Sequence, residues 1–348
     1  MILMFIMKKT LAKILENLYG LEIVYLEKIK TGFTNKNYYV STNTNEKFIV
    51  RVSPLSRMKH LWLEIYVLNK LKGKIPLEVP EPFISKINTY NVRVGNNLVT
   101  VFKFIEGKAA SSIISARNLE ICRFSKNLGR VVAILHEELS RINIPNTSFT
   151  HQRLISSYYD LFKFYTVCSY YPHDAWRKEL LKKMNIILKV LYKYIDYYDN
   201  LRRQMFIHTD IRMDNLIVRD KKIVGIIDFD DIMVGDEAFD LASILVEIYS
   251  DKKTISEKVL DIVNLDDFLV MLKEYLKQRK IIRKEEFIQR VVNFINLQIL
   301  QVLSIVGRDI EFDEKERMNN VLWYLNLLEL LDKEENLKKM RNFLLNNI

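Results

Sequence analysis

The stretch Phe206-Ile-His-Thr-Asp-Ile-Arg-Met-Asp-Asn-Leu-Ile-Val-Arg-Asp-Lys-Lys-Ile-Val-Gly-Ile-Ile-Asp-Phe-Asp-Asp231 concentrates the chemistry of this 348-residue chain. Two apolar runs, Leu216-Ile-Val218 and Ile223 to Ile227, flank the charged turn Arg219-Asp-Lys-Lys222 and predict an antiparallel hairpin. A turn centred near residues 221 and 222 sets Asn215 opposite Asp228 at the open end of the ladder. An amide oxygen beside a carboxylate suits Mg²⁺, which takes one or two carboxylate-type ligands and fills its shell with phosphate oxygens and water. Asp210 lies five residues before Asn215, on the loop that enters the hairpin. A carboxylate near a metal-bound phosphate, but not itself a ligand, can accept and orient a hydroxyl. His208, two positions earlier, reads as a brace for that loop, with acid or base work as the alternative.

Outward from this stretch the chain changes character at about residue 105. Glu22 to Leu26, Asn37 to Val40 and Lys47 to Val52 are short β-branched and aromatic runs separated by turn residues. Leu61, Ile65, Leu68 and Leu71 then recur at helical spacing, and Pro76, Pro80 and Pro82 end that pattern. Val92 to Val94 and Leu98 to Phe104 flank Gly95-Asn-Asn97, a hairpin signal. Beyond Gly107, Ile121, Phe124, Leu128, Val132, Leu135 and Leu139 keep helical spacing over about five turns. The tract from Ser156 to Tyr198 and everything after Asp240 also read as helix. The expected class is α+β, with an antiparallel-sheet N-terminal lobe holding one helix (residues 1–103) and a larger, mainly helical lobe (residues 104–348). The hinge falls near residues 102–107.

Bulk composition fits such a protein. Hydrophobic residues make up 49% and charged residues 28%, enough for a large core and a solvated surface. The net charge of +10 is compatible with anionic partners, but the basic residues are scattered among acids, as on a solvated lysine-rich surface. No basic block with interleaved aromatics marks a specific nucleic-acid binder. Cys122 and Cys168 are too few for a disulfide framework or a zinc site. At the N-terminus the apolar run Met1 to Met7 precedes Lys8 and Lys9, the reverse of a signal peptide, and no apolar run is long enough for a bilayer. A cytoplasmic location is the expectation.

The order His208-x-Asp210-x-x-x-x-Asn215, a hairpin, then Asp228-Phe229 resembles the catalytic and metal-binding loops of the protein-kinase superfamily. Ile227-Asp-Phe-Asp-Asp231 followed by Gly235-Asp-Glu-Ala-Phe-Asp-Leu-Ala242 is similar to the aminoglycoside phosphotransferase/choline kinase family, within it to the type II homoserine kinase-like and stress-response kinase-like branch. The resemblance implies a two-lobed protein-kinase-like fold. It makes Asp210 the catalytic base, Asn215 and Asp228 the metal ligands, and Asp240 a buried acid bracing the catalytic loop beside His208. Mg²⁺ and ATP or GTP would be cofactor and co-substrate, and a small-molecule alcohol the acceptor.

In the N-terminal lobe, Phe48-Ile-Val-Arg51-Val resembles the strand that offers a cation to the nucleotide phosphates, with Arg51 where most kinases have Lys, as in choline kinase-like members. Glu64 would pair with Arg51. The stretch from Gly32 to Asn37 takes the place of the phosphate-covering loop, though it has a single glycine, and Lys103-Phe104-Ile105 resembles the hinge facing the base. His136 reads as a packed helical histidine. Two readings compete with a small-molecule kinase: a Ser/Thr protein kinase, and a nucleotide- or nucleic-acid-binding module without catalysis. Only twelve positions separate Asp228 from Asp240, too few for a peptide-docking activation segment. The acceptor stays open among amino alcohols, homoserine-like amino acids, sugars and aminoglycosides. Asp309, Glu311, Asp313 and Glu314 could attract a cation or start a helix, and Tyr158, Tyr159, Phe162, Phe164 and Tyr165 could cage a quaternary ammonium or simply fill a core.

Overall fold

The structure, a computed structural model, describes residues 9–29, 35–113, 118–146, 174–199, 204–308 and 313–348. Two compact units emerge: Met1–Gly107 with Gly225–Asp230, and Lys108–Val224 with Asp231–Ile348.

The first unit is built on an antiparallel sheet. Strands β1 (Ile23–Lys28), β2 (Lys36–Thr42), β3 (Lys47–Pro54), β4 (Pro82–Phe83), β5 (Asn91–Val94) and β6 (Asn97–Lys103) lie in the order β1-β2-β3-β6-β4, with β5 also on β6. Side chains alternate across a strand, so the sequence of β3 sorts itself onto two faces. Phe48 and Val50 join Tyr38, Val40, Val99 and Val101 in the apolar core, and Arg51 is thereby turned to the other face. Register places Asn37 of β2 and Thr100 of β6 on either side of Arg51. Helix α1 (Met58–Leu71) follows β3 after a single 3₁₀ turn, Leu55–Arg57. It buries the expected Leu61, Ile65, Leu68 and Leu71, and also Glu64, whose side chain has no exposure at all. Gly225–Asp230 is tied to this unit by a parallel bridge of Gly225 to Glu78 and by the Ile226 N–H donating to Glu78 O at 3.1 Å.

The second unit is mainly helical. Helix α2 (Asn118–Leu139) crosses α3 (Leu265–Arg279) closely at Gly129, where a Cβ would lie 2.2 Å from Met271 O. Helix α4 (Glu237–Ile248) is buried from Glu237 to Val246 and is capped by Asp236, which accepts from the Ala238 N–H at 2.8 Å. Helices α5 (Lys284–Arg308), α6 (Glu314–Asp332) and α7 (Glu334–Asn347) close the chain. Asp313 caps α6 by accepting from the Glu316 N–H, so this acid is a helix start. Asp309 and Glu311, the aromatic residues Tyr158 to Tyr165 and Cys168 lie outside the described residues. Among the described residues no helix is long and apolar enough to cross a membrane.

The short strands were not foreseen. β7 (Lys108–Ala109) pairs with β9 (Leu216–Arg219), and β8 (Met205–Ile207) pairs antiparallel with β11 (Met233–Gly235). The hairpin of β9 and β10 (Lys222–Ile226) turns at Asp220 and Lys221, with φ of 52° and 60°. Two positive φ values make a two-residue turn of the primed kind, centred one residue earlier than the sequence suggested. The expected register is corrected accordingly. Asn215 ends a 3₁₀ turn before β9, and Asp228 follows the end of β10 with φ 68°, so neither belongs to the ladder.

Candidate active site

Of the expected site residues, Arg51, Glu64, Lys103, Phe104, Ile105 and Asp228 belong to the first unit, and His208, Asp210, Asn215 and Asp240 to the second. In the first, Arg51 is buried and its guanidinium is surrounded by acids. Nη1 donates to Glu64 Oε1 and Oε2 at 2.9 and 2.8 Å, and Nη2 donates to Asp228 Oδ1 at 3.1 Å. The Phe102 ring lies against the guanidinium, 5.2 Å from its Cζ. Arg51 Nε is buried and, among the described residues, meets no protein acceptor. Burial pushes the Glu64 carboxyl up to about 8, against the opposing pull of Arg51. Its chemical role is to fix the arginine, since a planar guanidinium held on Nη1 points its remaining N–H groups in set directions.

Asp228 keeps a side chain 37% exposed, the most open carboxylate around Arg51. Gly32 lies outside the described residues. In the expected hinge, Lys103 N–H donates to Glu81 O at 2.9 Å and Phe104 N–H to Lys47 O at 3.1 Å. These two amides are committed to protein carbonyls.

In the second unit, β8 delivers His208, Thr209 and Asp210, and its pairing with β11 fixes where α4 begins. One turn into α4, Asp240 is fully buried and faces back at the loop. Its carboxylate accepts from the backbone N–H of His208 at 2.8 Å and of Thr209 at 2.6 Å, and from His136 Nε2 at 3.0 Å. A carboxylate only accepts, so Nε2 of His136 carries a proton. His136 Nδ1 lies 2.9 Å from Tyr275 Oη, whose O–H donates to Glu237 Oε2 at 3.0 Å. Arg279 Nε donates to the same oxygen at 2.7 Å. Burial and the Glu237 charge hold the Tyr275 phenol far above its ordinary range.

The loop so braced contains a strained residue. Thr209 has φ 70°, an unusual value for a β-branched side chain. Its hydroxyl donates to Asp231 O at 3.0 Å and its carbonyl accepts from Ser243 Oγ at 3.4 Å. The turn brings out Asp210, 34% exposed at its side chain. Asn215 Nδ2 donates to Asp210 Oδ2 at 2.8 Å and to Asp210 O at 2.9 Å. Both hydrogens of that amide edge are thus used on Asp210, and Asn215 Oδ1 is turned to the opposite side of the planar group. His208 is buried, and its Nδ1 accepts from the Asp210 N–H at 3.3 Å, a bracing position.

Each unit offers an oxygen donor of the kind a hard divalent cation takes. In the second unit it is Asn215 Oδ1, and in the first it is the Asp228 carboxylate. Among the described residues no group of three or more His, Cys, Asp or Glu could hold a metal on its own.

Residues beyond the sequence reading surround Asp210 within the second unit. Arg212 Nε lies 3.4 Å from Asp210 Oδ2. Tyr324 of α6 donates to Glu247 Oε1 at 2.8 Å, and Lys252 Nζ lies 2.6 Å from Glu247 Oε2. Burial, then Glu247, raises the Tyr324 phenol, and the charges of Arg212 and Asp210 also reach it. Arg212 follows Asp210 by two positions, a spacing that could have drawn notice; Tyr324 has no signal in the sequence.

Residues 26–259 match the family model described as the phosphotransferase enzyme family. No curated protein sequence matches the chain. Among solved structures, it resembles an amicoumacin kinase in complex with AMP-PNP and Ca²⁺ at a TM-score of 0.72 and 14% identity, covering 93% of each chain. A microcompartment-associated aminopropanol kinase matches at 0.64 and 17% identity, over 94% of this chain and 99% of that one. The AMP-bound spectinomycin phosphotransferase matches at 0.61 and 14% identity, over 94% and 98%. These likenesses show the fold: α+β and protein-kinase-like, an antiparallel sheet region followed by a mainly helical remainder.

Proposed function

Because the chain belongs to the phosphotransferase enzyme family, whose members act on hydroxyl groups, we propose that it moves the γ-phosphoryl of ATP or GTP, with Mg²⁺, onto a hydroxyl of a small molecule. The observation that carries this reading is Asp210: an open carboxylate, aimed by Asn215 Nδ2, on a loop that a buried carboxylate locks in place. In the proposed reaction the acceptor hydroxyl donates its hydrogen bond to Asp210. As the new O–P bond forms and the bond to the leaving diphosphate breaks, the proton passes to that carboxylate.

Asn215 and Asp228 hold the metal, which when bound would neutralise phosphate charge. Arg51 grips phosphate with N–H groups that Glu64 leaves in fixed directions, and Gly32 belongs to the segment covering the phosphates. The hinge at Lys103, Phe104 and Ile105 receives the base. His208 and Asp240 support the loop. The transition state is loose, so positioning and charge neutralisation supply most of the acceleration.

The acceptor class is an amino alcohol, a homoserine-like amino acid, a sugar or an aminoglycoside. The similar structures are small-molecule kinases by their names, which supports a small acceptor. The segment from Asp228 to Asp240 is spent on β11 and the start of α4, which speaks against a peptide-docking activation segment and hence against a protein kinase.

Asp210→Asn should keep nucleotide affinity by calorimetry and lose activity by about 10²–10⁴-fold on an acceptor found in a panel of alcohols. Near-normal turnover in that variant would remove Asp210 from the role of base.

A further inference from the structure

Asp230 stands two residues after Asp228 but does different work. Its side chain is 10% exposed and its oxygens are already taken by the protein. Oδ2 accepts from Arg57 Nη2 at 2.5 Å and from Asn35 Nδ2 at 2.8 Å, while Oδ1 lies 3.8 Å from Arg51 Nη1. Its carbonyl also accepts from Arg57 Nη2 at 3.3 Å. The three partners come from separate places. Asn35 is the residue just before β2, Arg57 ends the turn that starts α1, and Arg51 sits in the middle of β3. Burial alone would raise this carboxyl, but Arg51, Arg57 and the Asn35 amide together hold it below the usual carboxylate range.

We propose that Asp230 is a positioning residue for the nucleotide phosphates, with Arg57 as its counter-charge: it locks the entry to β2, the start of α1 and the Arg51 guanidinium into one arrangement. This rests on the proposed role of Arg51. Three carboxylates, Glu64, Asp228 and Asp230, crowd one arginine. Arg57 offsets the surplus and holds Asp230 to the side away from Nη2. Arg51 therefore keeps Nη2 toward Asp228 and leaves its buried Nε–H, which meets no protein acceptor among the described residues, for a phosphate oxygen. Asn35 Oδ1 is likewise buried without a protein donor among the described residues, on the side chain that Asp230 fixes. With donors already on it, Asp230 is poorly placed to be a second metal carboxylate.

The test compares the unaltered chain with Asp230→Asn, Arg57→Gln and the double variant, by calorimetry with Mg²⁺–AMP-PNP and by steady-state kinetics. Loss of a charge-assisted hydrogen bond should raise the nucleotide KM about tenfold. kcat should fall less than about threefold. The double variant should be no worse than the poorer single one, because both remove the same contact. In the nucleotide-free protein, Asp230→Asn should also shift the Arg51 and Arg57 Nε–H resonances and the Asn35 side-chain amide. An unmoved KM with shifted resonances overturns the proposal and leaves the role of Arg51 intact. Loss of Mg²⁺ dependence matching Asp228→Ala overturns it in favour of metal ligation. No nucleotide binding by the unaltered chain overturns both readings. If Asp230→Asn does not fold, Arg57→Gln alone decides between the KM effect and none.

Discussion

Asp240→Asn isolates the brace beneath the loop from His208 to Asp210. The native carboxylate accepts three hydrogen bonds, from His208 N, Thr209 N and His136 Nε2, with no exposure to water. Asparagine offers one oxygen. If that oxygen takes the place of Oδ2 and keeps His208 and His136, the new NH₂ group faces the Thr209 N–H, donor against donor. One backbone N–H and one amide hydrogen are then buried without partners, at about 1–3 kcal/mol each. Thr209 also ceases to be held at φ 70° by its own N–H, and left-handed strain of about 1–3 kcal/mol then favours local opening.

The expected destabilisation is about 2–5 kcal/mol in urea titrations. Amide hydrogen exchange at His208 and Thr209 should accelerate by about 10²-fold or more, since 1.4 kcal/mol is a factor of ten. Adding Thr209→Gly removes the strain and should recover part of the loss. A destabilisation under about 0.5 kcal/mol, with exchange at the two amides unchanged, would refute the brace.

Two further changes probe other joints. Gly129→Ala should lower stability by about 1–3 kcal/mol, because the new methyl meets a backbone carbonyl rather than a side chain that can swing away. The helix-propensity gain of about 1 kcal/mol works in the other direction, so a raised Tm in calorimetry would show that α2 and α3 do not approach this closely. Glu64 gives a pH signature. Its carboxyl is lifted by burial to about 8 in the folded chain, so between the unfolded value and 8 the native state binds the extra proton and stability falls as pH rises. Asp230, held low, acts in the opposite sense, its contribution being lost only as acid takes the pH below the ordinary carboxylate range. Glu64→Gln should therefore flatten the decline in stability from pH 5 to 8.5, and a decline of equal slope in that variant would assign it to another group.

The elements that sequence reading recovers are those whose signal is local. Alternation along Lys47–Pro54 and helical spacing along Met58–Leu71 record which side of each element is buried. That is why the sheet, α1 and the helix at Asn118–Leu139 were legible. β7, β8 and β11 have two or three residues each, too short for any period, and Met205 meets Gly235 thirty positions away. The hairpin turn was misplaced by one residue for a related reason. Four charged residues, Arg219 to Lys222, can turn in more than one way, and positive φ at Asp220 and Lys221 selects the outcome. The sequence reading therefore set Asn215 opposite Asp228 in a ladder to which neither residue belongs.

What does govern these two residues is visible only once the chain is folded, and it is electrostatic. Asn215 is oriented by Asp210, five positions away, and Asp228 by Arg51, on a strand 177 positions away. Motif spacing marks such residues without explaining why they hold still. Their fixity comes from groups with no motif of their own: Glu64 under Arg51, Asp230 with Arg57 and Asn35, and His136 with Tyr275 behind Asp240. Each is a buried polar group whose removal strands another, so the loss falls on the geometry of the neighbour that faces solvent. In a transfer with a loose transition state, catalysis is mostly geometry. The two bracing clusters, one in each unit, should then control rate and nucleotide affinity as strongly as the residues proposed to touch the phosphates, and should do so separately: kcat through Asp240, KM through Asp230.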